Sequence, residues 1–261
     1  MTPTRPPAPS KRFMVDSLAV EIFERPEELA EAAASAAQAH LQKIVTSNGS
    51  AAVIFAAAAS QVKFLAALVE LRGVDWSRIT LFHMDEYLGI SGDHKASLGR
   101  FLRERVESRL KPRLFHYHKG DAPEPLKECE RYSQLLNAQP IDLCCLGIGE
   151  NGHLAFNDPP VADFEDPRAV KLVQLDLKSR QQQVDEGNFP EVASVPPFAY
   201  TLTVPTLCAA KKMICICPGK NKAQAVRDTL KGPIGTKCPA SILRRQPHAV
   251  LWLDAESASL L

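Results

Sequence analysis

The sequence lacks an excess of charge of either sign and has no apolar run that approaches the ~20 residues of a membrane helix. Its 31 lysine and arginine residues are balanced by 30 aspartate and glutamate residues, so no basic stripe favours nucleic acid or anionic lipid. We therefore expect a small-molecule partner, with no nucleic acid and no membrane bound.

The chain also lacks the cysteine spacing of a disulfide framework or a zinc site, since its seven cysteines are an odd number scattered through apolar segments. Cys215 and Cys217 lie in "MICIC", where strand geometry puts both sulfurs on one face, and simple packing is favoured over a metal or redox role. We expect reduced core thiols, no metal and a cytoplasmic location. The opening "MTPTRPPAPSKR" (1–12) has no apolar signal segment and is expected to be a disordered Pro-rich tail.

Beyond this tail, apolar runs of strand length alternate with segments of helical period. "AAVIFA" precedes "SQVKFLAALVEL", and "RITLFHM" precedes "SLGRFLRERVESRL". Alternation of this kind predicts an α/β fold with a mostly parallel sheet covered by helices on both faces. Because there is no internal repeat or long linker, residues 13–261 are expected to form a single domain.

Glycines follow the apolar run "IDLCCLGI" in the G-x-G-x-x-G pattern of dinucleotide-binding proteins (147–152). That site needs a helix directly after the third glycine, but Pro159, Pro160 and Pro167 leave no room for one. We therefore predict no dinucleotide site. Gly149 and Gly152 are instead expected to let the backbone turn tightly and approach a ligand.

Polar residues that could carry out chemistry follow two of the predicted strands. Asp85 and Glu86 come after "RITLFHM", while His153, Asn157 and Asp158 follow the glycines. The carboxyl ends of parallel strands meet at one edge of a sheet, so the two groups are expected to share one rim. Taken alone, the acidic pair also fits a solvated turn or a helix cap, and His153 also fits a hydrogen-bonded loop residue.

Together these segments resemble the glucosamine-6-phosphate deaminase (isomerase) family, which belongs to a larger group with the 6-phosphogluconolactonases. The matching motifs occur in family order and are "FHMDEYLGI", "LGIGENGHLAFNDP", "YTLTVPTL", "PGKNKAQAV" and "CPASIL". The resemblance implies a three-layer α/β/α, Rossmann-like fold without nucleotide. It also implies conversion of the sugar phosphate glucosamine 6-phosphate, with water, to fructose 6-phosphate and ammonia, and no cofactor.

The resemblance also implies roles for individual residues. Asp85 matches the carboxylate that takes the C2 proton and returns it at C1, and His153 matches the group that helps to open the sugar ring. Asp158 stands where the family usually has a glutamate that tunes the histidine. Asn151 stands where many members have an aspartate beside the histidine, and its amide can orient the ring but cannot accept a proton. Glu86, their neighbour in the motif, is assigned to substrate binding.

The phosphate loop departs from the family pattern. Where a Gly- and Thr-rich run is typical, this chain has Ala57, Ala58, Ala59 and Ser60. Lys222 matches the phosphate lysine of the family, although a solvated first-turn lysine is the alternative. The family's phosphate arginine has no clear counterpart, and Arg180 is the nearest candidate. The substrate-binding residues expected from the sequence are thus Ala58, Ala59, Ser60, Glu86, Gly149, Gly152, Arg180 and Lys222.

Two other functions remain open on the sequence. The first is a lactonase of the sister group, against which "HLAFND" and "MDEY" argue. The second is a non-catalytic protein that binds sugar phosphate through a degenerate loop. The sequence leaves a homo-oligomer open, and the polar segment 158–191 is expected to close over the substrate.

Overall fold

Two sheets form the framework of the computed structural model, which describes residues 6–261. The eleven strands of this range are β1 Lys11–Val15, β2 Leu18–Phe23, β3 Ala51–Phe55, β4 Ile79–His83, β5 Asp85–Tyr87, β6 Leu114–His116, β7 Leu143–Leu146, β8 Val170–Gln174, β9 Phe198–Leu202, β10 Met213–Cys217 and β11 Ala249–Asp254.

The larger sheet has eight strands in the order β1-β2-β11-β10-β7-β3-β4-β6. Its neighbouring strands pair in parallel except for β1 and β2, which form an antiparallel hairpin. The mostly parallel sheet predicted from the sequence is therefore confirmed. Parallel pairing brings the carboxyl ends of β3, β4, β7 and β10 to one edge, where polar residues follow each strand.

The helices cover both faces of this sheet, as the apolar strands predict. Along β3, Val53 and Phe55 pack on one face, whereas Ala52 and Ile54 pack on the other. Successive residues of a strand point to opposite faces, so an all-apolar strand needs a helical layer on each side. The helices are α1 Pro26–Asn48, α2 Val62–Glu70, α3 Leu98–Leu102, α4 Ser108–Leu110, α5 Pro125–Asn137, α6 Leu177–Asp185, α7 Val204–Cys208 and α8 Ala223–Lys231.

The second sheet has three antiparallel strands in the order β5-β9-β8. It begins one residue after β4 ends, so the chain passes from the large sheet to the small one at Met84. This change of sheet places Asp85, the first residue of β5, opposite Thr201 in β9. The small sheet therefore holds the acidic pair of the sequence motif in a strand, not in a solvated turn.

The sequence predicted a disordered tail over residues 1–12, but strand β1 already begins at Lys11, so the boundary at residue 12 is wrong. Lys11 and Arg12 belong to β1, where they pair with Ile22 and Glu21 of β2. Arg12 also forms an ion pair with Glu21 at 2.6 Å. Residues 1–5 of the expected tail lie outside the described range.

Residues 6–261 can be checked for membrane-spanning helices and for paired cysteines. None of the helices in this range is both long and apolar enough to cross a membrane. All seven cysteines are free, and Cys215 and Cys217 are fully buried in β10. Burial raises the pKa of the Cys217 thiol to about 12, which makes the thiol unreactive at neutral pH.

Candidate active site

A small cavity lies at the carboxyl ends of β3, β4 and β7, next to the start of β5. It encloses about 60 Å³, and its walls include Ser60, Asp85, Gly149, His153 and Lys222. The residues that follow separate strands and that the sequence singled out thus meet in one place. This is the edge at which parallel sheets bind their ligands.

Asp85 is the acidic group of the cavity. Its side chain is buried, with 7% of the residue exposed. Burial, and secondarily the charge of Glu86, raises the pKa of Asp85 to about 8. A carboxylate with so high a pKa is a much stronger base than an ordinary aspartate, so the site can take a proton from a weakly acidic carbon.

Glu86 lies outside the cavity, although the sequence analysis placed it among the substrate-binding residues. Its carboxylate accepts hydrogen bonds from Ser97 Oγ at 2.7 Å, Leu98 N at 3.1 Å and Gly99 N at 2.9 Å. Because neighbouring strand residues face opposite sides, Glu86 turns away from the pocket that Asp85 enters. Glu86 therefore caps the amino terminus of α3 by accepting these hydrogen bonds.

A hydrogen-bond network orients His153. Its Nδ1 atom lies 2.9 Å from Asp158 Oδ1, and its backbone N–H donates to Asn151 Oδ1 at 3.1 Å. The Asn151 amide donates to Asp158 Oδ1 at 3.0 Å, and Asp176 N donates to Asp158 Oδ2 at 3.0 Å. Burial alone raises the pKa of Asp158, but the bonds from His153 and Asn151 outweigh it, so the pKa is lowered. An ionised Asp158 keeps the proton on Nδ1, and Nε2 is left as the nitrogen that can exchange a proton with a ligand.

Two glycines make this loop possible, but only one belongs to the cavity. A Cβ atom on Gly149 would overlap the imidazole ring of His153. Gly152 has a φ of +82°, and a Cβ there would lie 2.7 Å from Cys238 Sγ. Gly149 therefore lets the imidazole lie against the backbone, whereas Gly152 serves the packing of the loop and does not line the cavity.

The loop expected from the sequence to bind phosphate contributes to the cavity wall. Ala58 and Ser60 line the cavity together with Lys222, while Ala59 lines an adjoining cavity of about 370 Å³. Ser60, Glu186 and Lys222 border both cavities, so the two spaces are neighbours. Lys222 is only 5% exposed, and it has no ion pair within residues 6–261. A buried ammonium without a partner favours the binding of an anion.

Arg180 does not reach this anion site, which corrects the expectation that it replaces the phosphate arginine. Its guanidinium donates to the carbonyls of Val192 at 2.6 Å and Val195 at 2.9 Å. It is absent from the walls of the cavity. Arg180 therefore ties α6 to the segment before β9.

Three further cavity residues, which no sequence motif predicted, come from α6 and its end: Gln182, Gln183 and Glu186. Gln182 accepts a hydrogen bond from Glu150 N at 3.2 Å and donates one to Glu186 at 2.7 Å. The run "QQQ" carries no known motif, and only the packing of α6 over the cavity reveals its role. The segment expected to cover the site, 158–191, does supply these residues; its movement stays a prediction.

Two buried histidines pack against each other, and one of them, His83, precedes Asp85 by two residues. His83 ends β4 and is 0% exposed, with no partner for either ring nitrogen among the described residues. Burial lowers the pKa of His83 to about 3, and burial followed by the charge of His83 lowers the pKa of His118. The ring centroids of His83 and His118 are 5.5 Å apart. Both rings are therefore neutral in the folded protein at neutral pH.

His83 is expected to make the fold sensitive to acid. Its pKa is lower in the folded chain than the ~6.5 of free histidine, so the unfolded chain binds the proton first as pH falls. Relative to His83→Phe, the natural protein should lose about 1.4 kcal/mol of unfolding free energy per pH unit below about pH 6.5. Urea unfolding of both proteins at several pH values measures this difference. A difference independent of pH would show that the His83 ring is already protonated or hydrated in the fold.

Comparison with known proteins places this site in context. The family model described as glucosamine-6-phosphate isomerases/6-phosphogluconolactonase matches residues 24–252. The glucosamine-6-phosphate deaminase of Listeria monocytogenes serotype 4a (strain HCC23) is 35% identical over 188 residues, which are 72% of this chain and 78% of that protein. The protein of the same name from Bacillus cereus (strain B4264) is 31% identical over 239 residues, covering 92% and 87%.

Solved structures give the same picture. A monomeric glucosamine-6-phosphate deaminase superposes with a TM-score of 0.85 at 29% identity, over 93% of this chain and 99% of that one. A 6-phosphogluconolactonase from Shewanella baltica OS155 superposes with a TM-score of 0.76 at 18% identity, over 93% and 99%. The second similarity is one of fold.

Proposed function

Because the chain belongs to the family of glucosamine-6-phosphate isomerases and 6-phosphogluconolactonases, we propose that it converts glucosamine 6-phosphate and water into fructose 6-phosphate and ammonia. The observation that carries the proposal is the meeting of Asp85 and His153 in one small cavity. Aldose–ketose chemistry on an amino sugar needs two groups that move protons, and these two residues supply them.

The proposed reaction begins with ring opening. His153 Nε2 moves a proton at the ring oxygen, while the ionised Asp158 fixes the other ring nitrogen. Asp85 then takes the proton from C2 of the open sugar and returns it at C1. In the same isomerisation the C1 oxygen gains a proton and the amine on C2 loses one, so C1 becomes an alcohol and C2 an imine. Water adds to the imine, and ammonia leaves to give the ketone of fructose 6-phosphate.

The raised pKa of Asp85 suits the removal of the C2 proton. A general base works best when its pKa lies near the working pH, because it is then both a strong base and ionised in a useful fraction of the molecules. A pKa of about 8 in the free protein means that the base form grows as pH rises toward that value. We propose that the phosphate is held by Lys222, Ser60 and backbone amides, in keeping with the buried, unpaired ammonium of Lys222.

We propose that the protein works in the cytoplasm, in keeping with its free thiols. We also propose that the site belongs to a single domain, which begins by Lys11. Assembly into a homo-oligomer stays a prediction.

The proposed reaction is tested by incubating the purified protein with glucosamine 6-phosphate and, separately, with 6-phosphogluconolactone. We expect ammonia and fructose 6-phosphate to appear in equal amounts, and the lactone to disappear no faster than without protein. Accelerated lactone hydrolysis without ammonia release would favour the lactonase. Binding of glucosamine 6-phosphate without turnover at high protein concentration would favour a non-catalytic binder.

Substitutions of Lys222 and Arg180 should distinguish a role in phosphate binding from a role in stability. Lys222→Met removes a charged contact to phosphate and is expected to raise KM for glucosamine 6-phosphate about 10- to 100-fold. Arg180→Gln should instead lower the unfolding free energy by about 1–3 kcal/mol, because two carbonyls lose their donor, and leave KM within about twofold. Steady-state kinetics and urea unfolding of both variants check this. A large rise in KM for Arg180→Gln would return Arg180 to the phosphate site.

A further inference from the structure

Gln183 is a cavity residue whose amide orientation the protein fixes. Its Oε1 atom accepts hydrogen bonds from the Tyr87 hydroxyl at 2.6 Å and from Asn188 Nδ2 at 3.0 Å. An amide oxygen has two lone pairs, so these two donors satisfy it and hold the NH₂ group on the opposite side. The residue is 8% exposed and lines the same cavity as Asp85 and His153.

The NH₂ group of Gln183 is left without a protein partner. Among residues 6–261, Nε2 is donor to none of the side-chain hydrogen bonds, although its own Oε1 makes two. The Nε2 atom is not one of the fully enclosed side-chain atoms without a partner, so it is open to the contents of the cavity. Water satisfies this donor in the free protein, and a ligand oxygen that displaces the water can accept the same hydrogen bond.

Strand β5 links this donor to the base. Asp85 and Tyr87 are two residues apart in β5, so they point to the same side of the small sheet. Asp85 enters the cavity directly, whereas Tyr87 contributes its hydroxyl to the orientation of Gln183. One strand face therefore sets the position of the proton acceptor and of the hydrogen-bond donor together.

The neighbouring glutamine shows that this arrangement is particular to Gln183. Gln182 also lines the cavity, but its Oε1 accepts from Glu150 N and its Nε2 donates to Glu186. Both ends of its amide therefore have a partner within the protein. Of the two adjacent glutamines, Gln183 is the one whose NH₂ group donates no side-chain hydrogen bond within the described residues, whereas Gln182 uses one of its two donors on Glu186.

We propose that Gln183 donates a hydrogen bond to the C1 oxygen of the ring-opened sugar, with Tyr87 and Asn188 as positioning residues. When Asp85 takes the C2 proton, the electrons of the C–H bond form a C1–C2 double bond, and negative charge moves onto the C1 oxygen. The donor is then paired with an oxygen whose charge is growing, which lowers the barrier more than it strengthens binding of the substrate. This inference rests on the proposed function.

Two substitutions separate the donor from the packing role. Gln183→Glu keeps an oxygen that accepts from Tyr87 and Asn188 but replaces the NH₂ group by a second oxygen. Gln183→Met fills similar space without charge. We expect kcat for glucosamine 6-phosphate to fall about 100-fold in both variants, with a much smaller change in KM. Tyr87→Phe keeps the ring and frees the amide to rotate, so it should lower kcat by about 5- to 10-fold.

The comparison of variants decides the inference. A Gln183→Met variant with natural kcat would overturn it, because a loss confined to Gln183→Glu would then reflect added negative charge beside Asp85. Equal kcat in the natural protein, Gln183→Glu, Gln183→Met and Tyr87→Phe would also overturn the role of Gln183, but it would leave the proposed deaminase reaction intact.

A binding measurement separates the two levels of the proposal. Calorimetric titration with fructose 6-phosphate needs no turnover, and Gln183→Met should weaken its binding about 3- to 10-fold through loss of one hydrogen bond. Unchanged binding in a folded variant would count against the donor contact even if the natural protein proved to have no deaminase activity. That lack of activity would contradict the proposed function alone.

Discussion

Asp85→Asn is expected to lower kcat for glucosamine 6-phosphate by about 1000-fold, within the 10²–10⁴-fold that a positioned general base contributes. Asparagine has the same shape but cannot accept the C2 proton. Asp158 is bonded to His153, Glu86 is bonded to α3, and Glu186 of the cavity wall accepts from Gln182, so we expect none of these carboxylates to replace Asp85 efficiently. Steady-state ammonia release by both proteins measures the effect.

The same variant should reveal the cost of ionising Asp85 in the fold. Its pKa is raised to about 8, so the folded chain keeps the proton to higher pH than the unfolded chain does. The natural protein should therefore lose unfolding free energy relative to Asp85→Asn, by about 1.4 kcal/mol per unit, as pH rises from about 4 to about 8. Urea unfolding across this range checks the sign. A relative gain in stability with rising pH would mean that Asp85 is paired with a cation or well hydrated.

Gly149→Ala is expected to lower kcat by about 100-fold, because its Cβ would occupy the space of the His153 imidazole. The ring cannot move without breaking its contact with Asp158, so the proton-transfer nitrogen would leave its position. Gly235→Ala is the matched control, since a Cβ there meets no atom within 4 Å, and it should keep kcat within about twofold. Equal losses in the two variants would show that the effect is not specific to the histidine loop.

The parallel sheet could be predicted because the information is local. Strands such as β3, β7 and β10 are short and apolar, and helical segments separate them, which dictates parallel pairing and two helical layers. The site could be located for the same reason: Asp85 and His153 follow strands whose carboxyl ends share one edge.

Other features depend on contacts between distant parts of the chain. β5 is a strand because Asp85 and Glu86 pair with Thr201 and Tyr200, which follow them by more than a hundred residues. Arg180 looked like a phosphate ligand because its charge is visible in the sequence, whereas its bonds to the Val192 and Val195 carbonyls are not. Gln183 was missed because a glutamine becomes significant only when its oxygen is occupied and its nitrogen is not.

The most direct test of the account follows the proton at C2. Glucosamine 6-phosphate carrying deuterium at C2 is incubated with the natural protein and with Asp85→Asn, and the C2–deuterium bond is followed by NMR together with ammonia release. We predict that deuterium leaves C2 as fast as ammonia appears in the natural protein, and that both processes nearly stop in Asp85→Asn. Ammonia release with the C2–deuterium bond intact, or equal loss of deuterium in the two proteins, would contradict the role of Asp85.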